Sequence, residues 1–147
     1  MEVRQLLAAD AEAWFALQQR EMPDPLTEAG LRAEFESHRS LRLGLWRGDE
    51  LSAVFLGWVV VDELQVIQIA TASEARRQGL GARLLKAAIE RGKSLGVVRV
   101  TLEVRRSNAA AITLYERAGF IVDGLRPRFY GGREDAVLMS LDVTDAG

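Results

Sequence analysis

One segment of the chain limits the fold more than any other, because a strand, a glycine turn and a long helix follow one another in it. The apolar run from Leu64 to Thr71 predicts a strand. The apolar stripe from Gly79 to Leu95 predicts an amphipathic helix that stops at Gly96. Val98 to Val104 then alternates apolar and polar residues, as a second strand does. This strand–helix–strand unit predicts an α/β fold with a mixed sheet.

The remaining periodic segments add strands and helices on both sides of this unit. The predicted strands are Val3–Leu6, Leu41–Trp46, Leu51–Val61, Ile121–Leu125 and Ala136–Val143, and the predicted helices are Ala11 to about Arg20 with Asp10 as its cap, one starting at Thr27, and one from Asn108 to about Ala118. The predicted order of elements is βααβββαβαββ. No repeat or linker divides the chain, so we expect one domain over residues 1–147.

Composition and charge exclude several classes of protein. A net charge of −2 argues against a dedicated nucleic-acid binder, which normally carries a basic excess. The absence of cysteine excludes a disulfide scaffold, a thiolate zinc site and a cysteine nucleophile, and we expect no metal site. The N-terminal residues lack a signal-peptide layout, and the longest apolar run is too short to span a bilayer. We therefore expect a cytoplasmic protein with no membrane partner.

The glycine turn between strand and helix has the chemistry of an anion site. The first N–H groups of a helix have no partner within it and carry partial positive charge. Glycine lets a phosphate come close to these groups, and Arg76 and Arg77 add formal charge beside them. We predict a diphosphate ligand here, although the glycines could also serve only as a turn. A dinucleotide fingerprint would need a third glycine or alanine where Leu84 stands, and a Walker loop would need a glycine where Ala87 stands.

The turn also has a recognisable pattern. Arg76-x-x-Gly79-x-Gly81, between a strand and an amphipathic helix, resembles the acyl-CoA pyrophosphate loop of the GNAT superfamily of N-acetyltransferases. The segment from Leu102 to Phe120, together with Gly132-Arg133-Glu134-Asp135-Ala136, is similar to the signature of the RimI-type enzymes of that superfamily. The resemblance covers essentially the whole chain. It implies a single-domain fold with a mixed, mostly antiparallel sheet, helices on both faces and splayed central strands.

The resemblance implies acetyl-CoA as the acyl donor and assigns residues to it. The residues it implies for cofactor binding are Ile69, Ala70 and Thr71 through their backbone, the loop residues Arg76, Arg77, Gln78, Gly79, Leu80, Gly81 and Ala82, and Asn108. It also implies that Glu103 is the general base and Tyr115 the general acid. From the residues alone, Glu103 could be a solvated strand charge, Tyr115 a core residue and Asn108 only a helix cap.

The RimI-type likeness implies transfer of acetyl to the N-terminal alanine of a small-subunit ribosomal protein. Without cysteine, the transfer is expected to be direct, in a ternary complex. Two alternatives stay open: a small amine or lysine as acceptor, and an acyl-CoA-binding module without catalysis. RimI-type enzymes usually carry Pro-Trp-Ser before the second helix, whereas this chain has Met22-Pro23-Asp24-Pro25-Leu26-Thr27, without the tryptophan. Tyr130 is a candidate acceptor contact, and the contributions of Arg126, Arg128 and Arg133 are left open.

Overall fold

A computed structural model describes residues 1–76, 78–130 and 134–144 of the chain. Seven strands form one sheet in the order β1-β2-β3-β4-β5-β7-β6. The strands are β1 (Glu2–Gln5), β2 (Ser40–Arg47), β3 (Glu50–Val60), β4 (Glu63–Thr71), β5 (Arg99–Arg105), β6 (Ile121–Tyr130) and β7 (Glu134–Asp142). The α-helices are α1 (Ala11–Glu21), α2 (Glu28–Ala33), α3 (Leu80–Ser94) and α4 (Ala109–Arg117), and short 3-10 turns cover Ala8–Asp10, Glu34–Glu36 and Ser73–Ala75.

The predicted order of elements and the predicted fold class are confirmed. Every strand pair is antiparallel except β4 with β5, which are the two strands that flank α3. Two local predictions were wrong. Strand β6 continues to Tyr130 rather than ending at Leu125. The Asp10 side chain does not cap α1, because its Oδ2 accepts a hydrogen bond from the Leu7 N–H at 2.8 Å.

Helices cover both faces of the sheet, as predicted. On one face, α1 meets β4, where the buried Trp14 donates a hydrogen bond to the Gln68 side chain. On the other face lies α3, where a Cβ added at Gly92 would lie 3.5 Å from Leu64 Cδ2. The apolar side chains of both helices and of the central strands form one continuous core. In the part of the chain that the structure describes, no helix has the length and apolar character needed to cross a membrane.

The two parallel strands separate half-way along their length. Strands β4 and β5 pair from Glu63 opposite Arg99 to Val66 opposite Leu102, and the pairing stops there. The register between β3 and β4 shifts at the same point, because Ile67 is an extra residue between two paired neighbours. Such a bulge bends its strand, so β4 leaves β5 and a wedge opens between them. The splayed central strands are therefore confirmed, and they position the site.

Candidate active site

A large cleft begins in the wedge between β4 and β5. Its volume is about 1610 Å³, above the roughly 300–1,000 Å³ of pockets that hold drug-sized molecules. The predicted site residues that line it are Ile69, Thr71, Arg76, Gly79, Leu80, Gly81, Ala82, Glu103, Asn108 and Tyr115. Ala70 is buried behind this wall, and Gln78 lies outside the lining. Arg77 is not among the described residues.

The N-terminus of α3 opens on this cleft without a capping side chain among the described residues. Its N-cap is Gly79, whose φ of 73° lies in the left-handed region that glycine adopts without strain. The first hydrogen bond of the helix runs from the Arg83 N–H to the Gly79 carbonyl. The N–H groups before Arg83 therefore have no acceptor within the helix. By contrast, Thr27 caps α2 and Asn108 caps α4 through side-chain oxygens.

The edge of β4 that faces the wedge is also open. Ala53, Val54 and Phe55 of β3 pair with its last three residues on one side. On the other side, no strand in the described part of the chain pairs with β4 beyond Val66. Backbone groups of residues 67–71 that point into the wedge are available to an extended ligand, which could add to β4 as a further strand does.

The side chain of Arg76 is tied to α1. Its Nη2 lies 3.0 Å from Oε1 of Glu21, the last residue of α1. The other carboxylate oxygen of Glu21 accepts a hydrogen bond from the Ser73 N–H at 2.8 Å. That hydrogen bond, with help from Arg20 and Arg76, holds the pKa of Glu21 below its usual range despite burial. The positive charge of Arg76, which the sequence predicted beside the phosphate site, is therefore partly neutralised by Glu21.

Gln78 and Asn108, two other residues predicted to bind the acyl donor, use their side chains in hydrogen bonds within the protein. Gln78 Oε1 accepts a hydrogen bond from Arg47, at the end of β2. Asn108 Oδ1 accepts the Ala111 N–H at 3.1 Å, so Asn108 is a helix cap. A hydrogen bond from the Asn108 side chain to a cofactor would then come from the Nδ2 group of Asn108. The predicted contact from the Gln78 main chain stays a prediction.

Glu103 forms an ion pair that the sequence did not predict. Its Oε1 lies 2.9 Å from Arg126 Nη2. Side chains alternate along a strand, so Glu103 and Arg105 share a face of the sheet. Arg105 contacts Asp24, in the loop between α1 and α2, and also Glu134 on β7. Glu103 therefore lies on the face of the sheet that α1 covers. Gly81, at the N-terminus of α3, lies on the opposite face.

The Glu134 carboxylate is the second acidic partner of Arg105, beside Asp24. Its Oε1 accepts the Ser107 N–H at 2.8 Å. Hydrogen bonds from Ser107, supported by Arg105, hold the pKa of Glu134 below its usual range. This arrangement connects the end of β5, the start of β7 and the loop after α1.

Tyr115 is a buried residue on α4 that borders the cleft. The residue is 6% exposed, and its ring packs against Phe120 with the ring centroids 5.5 Å apart. The structure therefore places Tyr115 in the core and at the cleft wall together, so the two interpretations of the sequence do not exclude each other. The side chains of Arg128 and Tyr130, and the whole of Arg133, lie outside the described residues. Within the described ranges, no cluster of three or more His, Cys, Asp or Glu residues could hold a metal ion.

The chain matches a known family over most of its length. The model of the acetyltransferase (GNAT) family matches residues 11–120. The chain belongs to the GNAT family. A protein named ribosomal protein bS18-alanine N-acetyltransferase, from Escherichia coli, is 36% identical over 97% of each chain. The protein of the same name from Salmonella typhimurium is 37% identical over 95% of each chain.

Solved structures of N-acetyltransferases share the architecture. The crystal structure of the ribosomal-protein-S18-alanine N-acetyltransferase from Escherichia coli superimposes with a TM-score of 0.91, covering 99% of this chain and 96% of the other. The PaiA N-acetyltransferase from Thermoplasma acidophilum, solved in complex with coenzyme A, has the same fold at 17% identity, with a TM-score of 0.84 over 96% of this chain and 98% of the other. The mixed, splayed sheet of this chain is therefore the GNAT fold, and the chain is an acetyltransferase.

Sequence reasoning missed three polar residues of this GNAT site. Gln18 and Gln68 are at most 5% exposed, the Glu21 side chain is 6% exposed, and all three bind groups distant in the sequence. Two of them carried a signal. Gln18 stands four residues after Trp14 on the buried side of α1, and Gln68 interrupts an apolar strand. A polar residue in a core position indicates a hydrogen-bonded partner, because burying it alone is costly.

Proposed function

We propose that the protein transfers the acetyl group of acetyl-CoA to the α-amine of the N-terminal alanine of ribosomal protein bS18. The observation that carries this proposal is the 36% identity over 97% of both chains with the Escherichia coli enzyme of that name. Glu103 and Tyr115, which both line the large cleft, agree with it. A ribosomal protein and a thioester donor meet in the cytoplasm, which is where we propose that the protein acts.

The donor end of the cleft supports binding of acetyl-CoA. The open N–H groups at the start of α3 suit the two phosphoryl groups, since a helix N-terminus attracts anions. The free edge of β4 near Ile69 and Thr71 suits the amide-containing pantetheine arm, which could hydrogen-bond there as an added strand. Arg76 supplies little unshared charge because Glu21 lies beside it, so we expect main-chain groups to dominate donor binding.

Glu103 is the residue that we propose to accept the proton of the incoming amine. A peptide α-amine has a pKa of about 7.7–8.0, so near neutral pH most of it is protonated and cannot attack a thioester. A carboxylate at the cleft wall can remove that proton directly or through one water molecule. Arg126 holds one carboxylate oxygen of Glu103. The other oxygen is the one that we propose for the acceptor.

Tyr115 is the residue that we propose to protonate the leaving sulfur. Free thiols have a pKa of about 8.5, so a thiolate that leaves near neutral pH takes up a proton. The packing of Tyr115 against Phe120 orients the ring from which a hydroxyl proton can be given to the sulfur. Because the chain has no cysteine, the acetyl group is expected to pass straight from donor to acceptor.

Donor and acceptor reach the wedge from opposite faces in this proposal. Gly81, at the N-terminus of α3, lies on one face of the sheet, while Glu103 and Arg105 lie on the face that α1 covers. Residues 22–27, between α1 and α2, border the cleft on that second side through Met22, Pro23 and Asp24. We call residues 22–27 the acceptor loop.

The test is a comparison of acceptors with the purified protein and acetyl-CoA. We expect saturable release of thiol with a peptide that carries the N-terminal sequence of bS18, and a mass gain of one acetyl group on its α-amine. The same peptide with a blocked N-terminus and an internal lysine should not react, nor should a polyamine. Reaction of the small amines alone would overturn the acceptor assignment. Ping-pong kinetics with an isolable acetyl-enzyme would overturn direct transfer.

A further inference from the structure

A chain of buried side-chain amides crosses from β4 to α1. The indole N–H of Trp14 donates to Gln68 Oε1 at 3.1 Å, and Gln68 Nε2 donates to Gln18 Oε1 at 3.0 Å. Gln18 is 0% exposed and Gln68 is 5% exposed. Hydrogen bonds in such a buried network are strong, and a missing partner in it is costly.

The network continues into the acceptor loop. Gln18 Oε1 also accepts the Leu26 N–H at 2.9 Å, and Gln18 Nε2 donates to the Leu26 carbonyl at 2.7 Å. One side-chain amide thus binds both backbone groups of Leu26, as a neighbouring strand would. Leu26 lies in an irregular segment with two prolines, so these two bonds replace the ladder that a helix or sheet would provide.

The direction of the hydrogen bonds requires an amide at both positions. Each glutamine accepts through its oxygen and donates through its nitrogen to the next member of the chain. A glutamate at position 18 would have no proton to donate to the Leu26 carbonyl, and a glutamate at position 68 would have none for Gln18. Neither residue is interchangeable with its acid.

The far end of the network lies at the catalytic wedge. Gln68 directly follows Ile67, the bulge residue at which β4 leaves β5, and Gln68 itself lines the cleft. Gln18 therefore connects the strand that borders the donor with the loop that borders the acceptor. A second connection to this loop comes from Arg105, which contacts Asp24.

We propose that Gln18 is a positioning residue that holds the acceptor loop against β4 and thereby determines the affinity for the acceptor amine. Gln68 anchors it, and Gln18 itself is not among the residues that line the cleft. This inference rests on the proposed function, because it treats residues 22–27 as the acceptor side. It goes beyond that function by assigning acceptor affinity to a residue behind the cleft wall.

The experiment compares steady-state kinetics of the parent with those of Gln18→Met and Gln18→Glu. Gln18→Met keeps the volume but removes all three hydrogen bonds. Gln18→Glu removes the donor to the Leu26 carbonyl and also puts a carboxylate in a fully buried site. We expect the KM for the bS18 peptide to rise at least tenfold in Gln18→Met and by at least as much in Gln18→Glu. We expect kcat to change less than threefold, and the Kd for acetyl-CoA, measured by calorimetry, to stay within twofold.

Trp58→Phe is the matched control for a general loss of stability. It removes the hydrogen bond of 3.0 Å from Trp58 Nε1 to Glu34 Oε1, which also joins β3 to the helical layer on the α1 face but involves no residue of the acceptor loop. We expect Trp58→Phe to lower the melting temperature while leaving the peptide KM within twofold. An equal rise of KM in this control would overturn the proposal, and so would an unchanged KM in Gln18→Met.

A second readout covers variants that fold poorly and separates the two proposals. Gln68→Met keeps the Gln18–Leu26 pair and removes the anchor without burying a charge, so its peptide KM should rise less than in Gln18→Met. Hydrogen exchange of residues 22–27 should accelerate at least tenfold in Gln18→Met, whether or not the peptide is a substrate. Fast exchange with a parent that does not acetylate the peptide would overturn the proposed function alone. Unchanged exchange would overturn the inference alone.

Discussion

Arg126 Nη2 lies 2.9 Å from Glu103 Oε1, although β7 separates the two strands that carry these residues. The pair is diagonal: Glu103 is opposite Leu138 on β7, whereas Arg126 is opposite Ala136. The two side chains are 52% and 33% exposed, so we expect the pair to contribute at most about 1 kcal/mol to folding. Its importance is therefore expected to lie in the orientation of the proposed base.

Replacing the proposed base should produce a rate loss that depends on pH. Glu103→Gln keeps the shape of the side chain but cannot accept the amine proton. We expect kcat for the bS18 peptide to fall by ~10²–10⁴-fold near pH 6.5, because general-base catalysis contributes about that much. The loss should shrink above about pH 9, where the free amine is already neutral. The Kd for acetyl-CoA serves as the control and should stay unchanged, and a loss that is the same at every pH would remove Glu103 from proton transfer.

The ion pair itself can be tested against a closely matched partner. Arg99 Nη2 lies 3.2 Å from Asp123 Oδ2, with side chains 51% and 35% exposed, and it also joins β5 to β6. Arg126→Gln is expected to lower kcat about tenfold because the Glu103 carboxylate loses its fixed orientation, and Arg126→Lys should recover part of that loss. Arg99→Gln should leave kcat unchanged. Equal losses in both glutamine variants would mean that the effect comes from the sheet edge and not from Glu103.

Replacing Tyr115 tests the proposed acid with little disturbance of packing. Tyr115→Phe retains the ring that packs against Phe120, so we expect the melting temperature to change by only a few degrees. We expect kcat to fall about 10²-fold at neutral pH. The deficit should decrease at high pH, because a thiol with a pKa of about 8.5 then leaves as a stable thiolate. A deficit that does not change with pH would favour a purely structural Tyr115.

Substitutions at Gly81 should weaken acetyl-CoA binding in proportion to the size of the new side chain. A Cβ at Gly81 would lie 3.5 Å from Leu114 Cδ2 and 3.9 Å from Ile69 Cγ2, which is ordinary contact. Gly81→Ala should therefore fold normally and bind acetyl-CoA nearly as well as the parent. Gly81→Val adds two methyl groups beside the proposed phosphate site, so we expect its Kd for acetyl-CoA to rise at least tenfold. Arg91→Val, on the exposed side of the same helix, controls for a branched side chain placed elsewhere in α3.

Most of the fold could be predicted because its signals are local. The alternation of Val98 to Val104 and the stripe of α3 each specify an element without reference to the rest of the chain. The extension of β6 beyond Leu125 was missed, because Arg126-Pro127-Arg128 has no strand pattern of its own and depends on pairing with β7. Sheet pairing thus supplies what the local pattern does not.

The contacts of the site were harder to predict, because they depend on register and on bulges. The diagonal between Glu103 and Arg126 depends on the register shift in β6 between Val122 and Gly124. The Gln68 side chain faces α1 because the bulge at Ile67 reverses the alternation of β4. A one-residue change in register cannot be read from composition or periodicity, so these two contacts follow only from the folded sheet.

Glu21 makes the stability of the protein sensitive to acid. Its carboxylate accepts the Ser73 N–H and pairs with Arg76, and the hydrogen bond from Ser73 is the main reason that its pKa is lowered from 4.5 in the folded state. A carboxyl group whose folded pKa lies below its unfolded value stabilises the fold fully above the unfolded value. That contribution is lost as the pH falls through the folded value.

The measurement is urea unfolding of the parent and of Glu21→Gln between pH 7 and pH 3. We expect the variant to be less stable than the parent at pH 7, because Gln cannot pair with Arg76 as a charge. The difference should shrink as the pH falls below 4.5 and on through the lower folded pKa, where the folded parent carboxylate takes up its proton and loses the same interactions. Glu74→Gln, at a neighbouring side chain that is 55% exposed, should show no such convergence. A stability difference that stays constant down to pH 3 would mean that the Glu21 charge does not hold the turn Ser73–Ala75 to α1.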